Sequence, residues 1–204
     1  MPLTVFIWHR THLIIQRNMT FCGYHGSTDA VGVFTGFIRP ISPDVETTNW
    51  FPTPLYTHVD ETSPDDGDTI FSTTSTAVWP SFNTYDCELT LDTPSAEPAP
   101  GDRQLITLRT RLEIIEDTPG GTGNADFTNS LVQGTTVIAF STHSESTVNN
   151  WQTVTYDLTE GEVNSITDYS DLRFRLSVNI GHNSGFPDVL AECSWVEVEF
   201  SQRP

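Results

Sequence analysis

Five carboxylates, Asp60, Glu61, Asp65, Asp66 and Asp68, fall within nine residues of the chain, with Gly67 placed to permit a tight turn. Side chains so crowded repel one another, and a hard divalent cation would relieve the repulsion through oxygen ligands. Asp60, Asp65, Asp66 and Asp68 are therefore the expected ligands if a structural Ca²⁺ is held. The plainer reading, favoured on so acidic a chain, is that they point into water. The spacing is not that of an EF-hand, because Pro64 interrupts the alternation and no Glu stands at the twelfth position.

Aromatic residues offer a second kind of chemistry. In the segment Leu190 to Phe200, Val196, Val198 and Phe200 share one face, which turns Trp195 to the other face with Glu197 and Glu199. An outward Trp on a sheet stacks on a sugar ring or packs against a neighbouring subunit. Trp195, Glu197 and Trp151 are the residues expected at such a contact, and a protein interface is favoured over a glycan. Trp50, Trp79 and Trp151 fall at strand ends or in loops, where an aromatic ordinarily covers an open sheet edge.

Catalytic signatures are missing. The six histidines are His9, His12, His25, His58, His143 and His182, and none stands in a triad context. GxSxG, HEXXH and P-loop patterns do not occur. A glycosidase needs two carboxylates across a cleft, but with 27 acidic residues some pair will qualify by chance. His143 and His182 flank strands and could line a site, although solvated loop positions are the ordinary reading. The expectation is a protein without catalytic residues. Cys22, Cys87 and Cys193 form an odd set with no CxxC spacing, so neither a zinc site nor a disulfide framework is signalled.

The elements that would position these residues are strands. In Asp171 to Ile180, Leu172, Phe174, Leu176, Val178 and Ile180 alternate with Arg173, Arg175, Ser177 and Asn179, the period-2 pattern of a strand with one wet face. Val154, Tyr156 and Leu158 repeat the device, and a compact turn follows around Asp168 and Asp171. Further strands are expected at 55–60, 69–72, 84–92, 105–116, 135–142 and 190–200, about eight in all, separated by turn chemistry such as TPGGTGNAD. No segment after Met19 carries a helical period. Parallel sheets need crossover helices, so the sheets should be antiparallel. The fold expected is an all-β, antiparallel two-sheet β-sandwich of jelly-roll type.

Composition bounds the function. The chain of 204 residues carries 27 acidic residues against 9 basic ones, all arginine, for a formal charge of -18. Such a surface repels phosphate backbones, so nucleic acid is not an expected partner. The longest early apolar run, Val5 to Trp8, is too short to span a membrane, and no membrane partner is expected.

Residues 1–48 are expected to be an N-terminal extension, poorly ordered or loosely attached, ahead of a sandwich domain over 49–204. Met1 to Asn18 hold His9, His12, Arg10 and Arg17 and no acid. They read either as translated sequence upstream of a natural start at Met19, which is favoured, or as a basic arm for an acidic partner. Ser42 to Pro54, punctuated by Pro43, Pro52 and Pro54, should stay out of any central strand.

The segment HVDETSPDDGDTIFS, His58 to Ser72, followed by WQTVTYDLT and TDYSDLRFRLSVN, resembles a jelly-roll protein found among the structural genes of tailed bacteriophages. The resemblance covers roughly 49–200, and proteins of that kind look like carbohydrate-binding modules in fold. It implies a non-enzymatic component of the virion, in capsid decoration, neck or tail, whose partners are other virion proteins, further copies of itself or a host-surface glycan. A carbohydrate-binding module is the alternative and a polysaccharide-acting enzyme the third. Its motifs build the fold and supply no catalytic residue.

Overall fold

In a computed structural model of the chain, the described residues are 35–47, 49–78, 80–95, 104–116, 123–182 and 189–202. Met1 to Asn18, Cys22 and Trp79 lie outside them. Eleven strands occur among the described residues: β1 (Gly36–Ile38), β2 (Pro40–Thr47), β3 (Trp50–Phe51), β4 (Ile70–Ser72), β5 (Asn83–Leu91), β6 (Gln104–Glu116), β7 (Gly123–Gln133), β8 (Thr136–Glu145), β9 (Gln152–Asp157), β10 (Leu172–His182) and β11 (Val189–Gln202).

They form two antiparallel sheets packed as a sandwich. The first runs β3-β4-β11-β6-β9, with β1 also paired to β11, and the second runs β2-β5-β10-β7-β8. From β5 onward the chain passes repeatedly from one sheet to the other, the winding expected of a jelly roll. Alternation explains the core. Leu172, Phe174, Leu176, Val178 and Ile180 of β10 face Ile106, Leu108, Leu112 and Ile114 of β6 and Val196, Val198 and Phe200 of β11 across the interior, each 2% exposed or less. Truncating any of the buried leucines to Ala should cost about 2–5 kcal/mol.

Four strands escape the alternation rule, and one expected strand is a turn. Leu55–His58 is a 3-10 turn, because Leu55 and Val59, four residues apart and both fully buried, place one helical face inward behind Pro54. The strand β7 begins inside the stretch expected to be loop. Its inward positions include the polar Asn129, 1% exposed, and its outward ones are Asp126, Thr128 and Ser130, so the apolar signal is diluted on the core face. The strands β1 and β2 lie in the expected extension, yet Ile38 is 2% exposed in the core, and β3 is only two residues long, too short to show alternation. The core of the sandwich accordingly takes in residues upstream of 49. Both β2 and β3 are edge strands, and the two prolines of β2, Pro40 and Pro43, are tolerated at an edge.

One short helix, α1 (Glu160–Ser165), joins β9 to β10 and was not expected from the sequence. A capping box starts it: the Thr159 hydroxyl accepts from the Glu162 N–H, and the Glu162 carboxylate accepts from the Thr159 N–H at 2.7 Å. Val163 then plugs the sheet end at 2% exposure. Between β7 and β8 a two-residue loop turns at Gly134 with φ of +57°, a conformation glycine adopts without penalty.

Candidate functional site

The outer face of the second sheet is polar because the wet positions of three adjacent strands fall into register. Across β5, β10 and β7, Glu88 pairs with Arg175 and Arg175 with Ser130, while Asp86 pairs with Ser177 and Ser177 with Thr128. Directly paired side chains project from the same face. Asp86, Cys87, Glu88, Thr128, Ser130, Arg175 and Ser177 line an open cleft of about 440 Å³ there.

An ion-pair network fixes one side of this cleft. Arg175 donates from Nε and Nη2 to Glu88 Oε2 at 2.8 and 2.7 Å, and Arg173 donates from Nη1 to Glu88 Oε1 at 3.0 Å. The second Arg173 nitrogen reaches Asp171 at 3.1 Å. A carboxylate only 6% exposed is tolerable because two guanidinium groups compensate its lost hydration. The other polar groups are uncommitted: Asp86, Thr128, Ser130 and Ser177 make no side-chain hydrogen bond among the described residues. Phe140 of β8 pairs with Ser130, extending that row, and is 59% exposed. The site thus offers free donors and acceptors beside an apolar ring face.

The residues singled out by sequence lie elsewhere. Trp195 does sit on the outer face of the first sheet, beside a β-bulge at Ser194, but it is only 7% exposed. The acidic segment is laid over it: the indole Nε1 donates to the Glu61 carbonyl at 3.0 Å, and the Val196 N–H donates to the Val59 carbonyl at 3.1 Å. Trp195 is therefore a packing residue and not a platform for a ligand. Glu197 is 3% exposed and is held by Arg39 and Arg109, the latter also bound to Glu199. It too is unavailable for contact. Trp151 is half-buried, with the Arg111 guanidinium 5.6 Å from its ring centroid.

The acidic segment does not converge on a point. Asp66 is gripped by Arg111 through bonds of 2.6 and 2.7 Å and receives the Ser194 hydroxyl at 3.1 Å; the Arg111 bond is the main reason its carboxyl sits below the usual range. Asp68 pairs with His58, Asp65 closes a turn by accepting from the Gly67 N–H at 2.9 Å, and Asp60 is exposed. Among the described residues no group of three or more His, Cys, Asp or Glu side chains is gathered to hold a metal ion. The expected Ca²⁺ ligands are thus kept apart by local partners.

Cys87 and Cys193 are buried in the core, and burial pushes the Cys193 thiol up to about 12, which leaves it unreactive. His143 and His182 are on different strands, opposite Phe127 and Gly123 of β7 respectively, and do not form a pair. The cleft itself was legible in part. Alternation puts Arg175 and Ser177 on a wet face, but β7, with polar residues on both faces, carries no pattern that would align their neighbours.

No protein-family model matches the chain, and no curated protein matches it. Nine chains of solved structures match. One, described as "CBM4 structure and function", is 13% identical over 86% of this chain and 93% of its own, with a TM-score of 0.34. That likeness is too slight to carry a family or a ligand to this protein.

Proposed function

We propose that this protein is a non-catalytic binding module that takes a polyhydroxylated ligand, a carbohydrate, in the cleft of its second sheet. The observation that carries the reading is the set of uncommitted side chains Asp86, Thr128, Ser130 and Ser177 beside the exposed ring of Phe140. A carboxylate accepts from two vicinal sugar hydroxyls, serine and threonine both donate and accept, and an aromatic face covers the apolar side of a pyranose. Cleavage of a glycosidic bond uses two carboxylates in acid and nucleophile or base roles. Of the two carboxylates that line this cleft, Glu88 is locked between arginines, which leaves Asp86 alone. Calorimetric titration against a panel of neutral oligosaccharides tests the reading. At least one should bind, and Asp86→Ala and Phe140→Ala should each weaken it about tenfold or more; a folded protein that binds none of them, or variants that bind as tightly as the parent, would refute it.

A second reading, a structural component of a phage virion, is supported by the sequence resemblance over 49–200 and by the exposed Phe51 and Phe71 rings on the opposite sheet, 6.3 Å apart. Exposed aromatic pairs of this kind suit subunit contacts. Mass spectrometry of purified virions tests it, and absence of the protein from the particle would remove it.

A further inference from the structure

The outer face of the first sheet carries a second constellation, independent of the cleft. In one continuous register lie Phe51 of β3, Phe71 of β4, Glu192 of β11 and Glu113 of β6. The two phenylalanines are 46% and 36% exposed. Directly opposed residues of antiparallel strands have their Cβ atoms about 5 Å apart, so the two carboxylates face each other closely.

Neither acid is compensated. Glu113 is 7% exposed, yet it makes no hydrogen bond or ion pair among the described residues, and neither does the half-buried Glu192. The charged groups that face Glu113 are Glu192 from β11, Asp66 from the acidic segment and Arg111 from its own strand. Arg111 is committed to Asp66 through both Nε and Nη2. Two carboxylates therefore share a partly buried surface with one cation already spoken for. Burial first, then Glu192 and Asp66, push the Glu113 carboxyl up to about 7, and burial raises that of Glu192 as well.

A surface of this kind is complementary to a cation with an apolar stem. We propose that Glu113 and Glu192, flanked by Phe71 and Phe51, form a docking site for an arginine side chain presented by a protein partner. The planar guanidinium donates in a fork that can bridge two carboxylates, whereas an ammonium acts as a point charge. Its methylene stem and an adjacent apolar residue cover the phenylalanines. The partner is taken to be a different protein, because among the described residues every arginine that a second copy would offer, Arg39, Arg109, Arg111, Arg173 and Arg175, is ion-paired internally.

The test uses the full chain and a capped Leu-Arg-Leu-Leu peptide, with the citrulline peptide as its neutral isostere, at fixed ionic strength. Carbon-detected NMR follows the Glu113 carboxyl through a pH titration. The arginine peptide should lower its midpoint by about one unit or more, as an opposite charge within a few ångströms does, and the citrulline peptide should leave it in place. Affinity should rise about tenfold between pH 6 and pH 8 as Glu113 ionises. Glu192→Gln and Phe71→Ala, each checked for an unchanged fold by circular dichroism, should weaken binding. The proposal is overturned if both peptides bind alike, if binding survives in Glu192→Gln, or if the Glu113 midpoint does not move at saturating peptide. It is also overturned if a glucosamine oligomer shifts that midpoint and the arginine peptide does not.

Discussion

Arg111 Nε lies 2.6 Å from Asp66 Oδ1 and Arg111 Nη2 lies 2.7 Å from Asp66 Oδ2, and this fork pins the acidic segment across the outer face of the first sheet. The same segment covers Trp195 through the Glu61 carbonyl. Asp66→Ala should therefore loosen the cover. The pair is about a third exposed, so solvent screening limits the loss to about 1 kcal/mol or less in urea unfolding. Because the folded Asp66 titrates below its ordinary value of 3.8, its contribution is present above that pH and disappears as pH falls through the lowered value. Indole fluorescence should redden in the variant as Trp195 meets water.

Glu113 acts in the opposite direction. Its carboxyl is raised from 4.5 to about 7 in the folded protein. The stability linked to that shift is fully present below pH 4.5 and is lost as pH rises through about 7, an effect of about 3 kcal/mol. Glu113→Gln removes the ionisable group while keeping its shape. Thermal melts should match the parent at pH 4 and exceed it at pH 8; a variant less stable than the parent at pH 8 would count against the uncompensated pair.

Calcium should have little hold on the acidic segment. Asp66 is neutralised by Arg111, Asp68 is paired with the His58 ring, and Asp65 is turned back on Gly67. Melting in millimolar Ca²⁺ and in chelator, at matched ionic strength, should coincide. A concentration-dependent rise that Asp65→Ala and Asp68→Ala abolish would restore the site.

How much of this could be read from the residues depends on which face carried the apolar signal. The strands β6 and β10 alternate cleanly, β11 does so on either side of its bulge at Ser194, and their inward sets match the core. In β7 the inward Asn129 and the outward hydroxyls blur the pattern, so half the cleft was hidden with it. Parity placed Trp195 outward, but no local rule foresees that residues more than 130 positions earlier return to bury it. The capping box of α1 was written in Thr159 and Glu162, yet six residues are too few for a helical period. The Glu113–Glu192 pairing depends on the register of two strands nearly 80 residues apart, which alternation within each strand does not set.

Residue-resolved NMR of the labelled protein, titrated with an oligosaccharide that calorimetry finds to bind, tests the central claim most directly. Backbone shifts should concentrate at Asp86, Thr128, Ser130, Phe140 and Ser177, on neighbouring strands of the second sheet. Shifts confined to the outer face of the first sheet, around Trp151 and Trp195, would contradict the cleft as the ligand site.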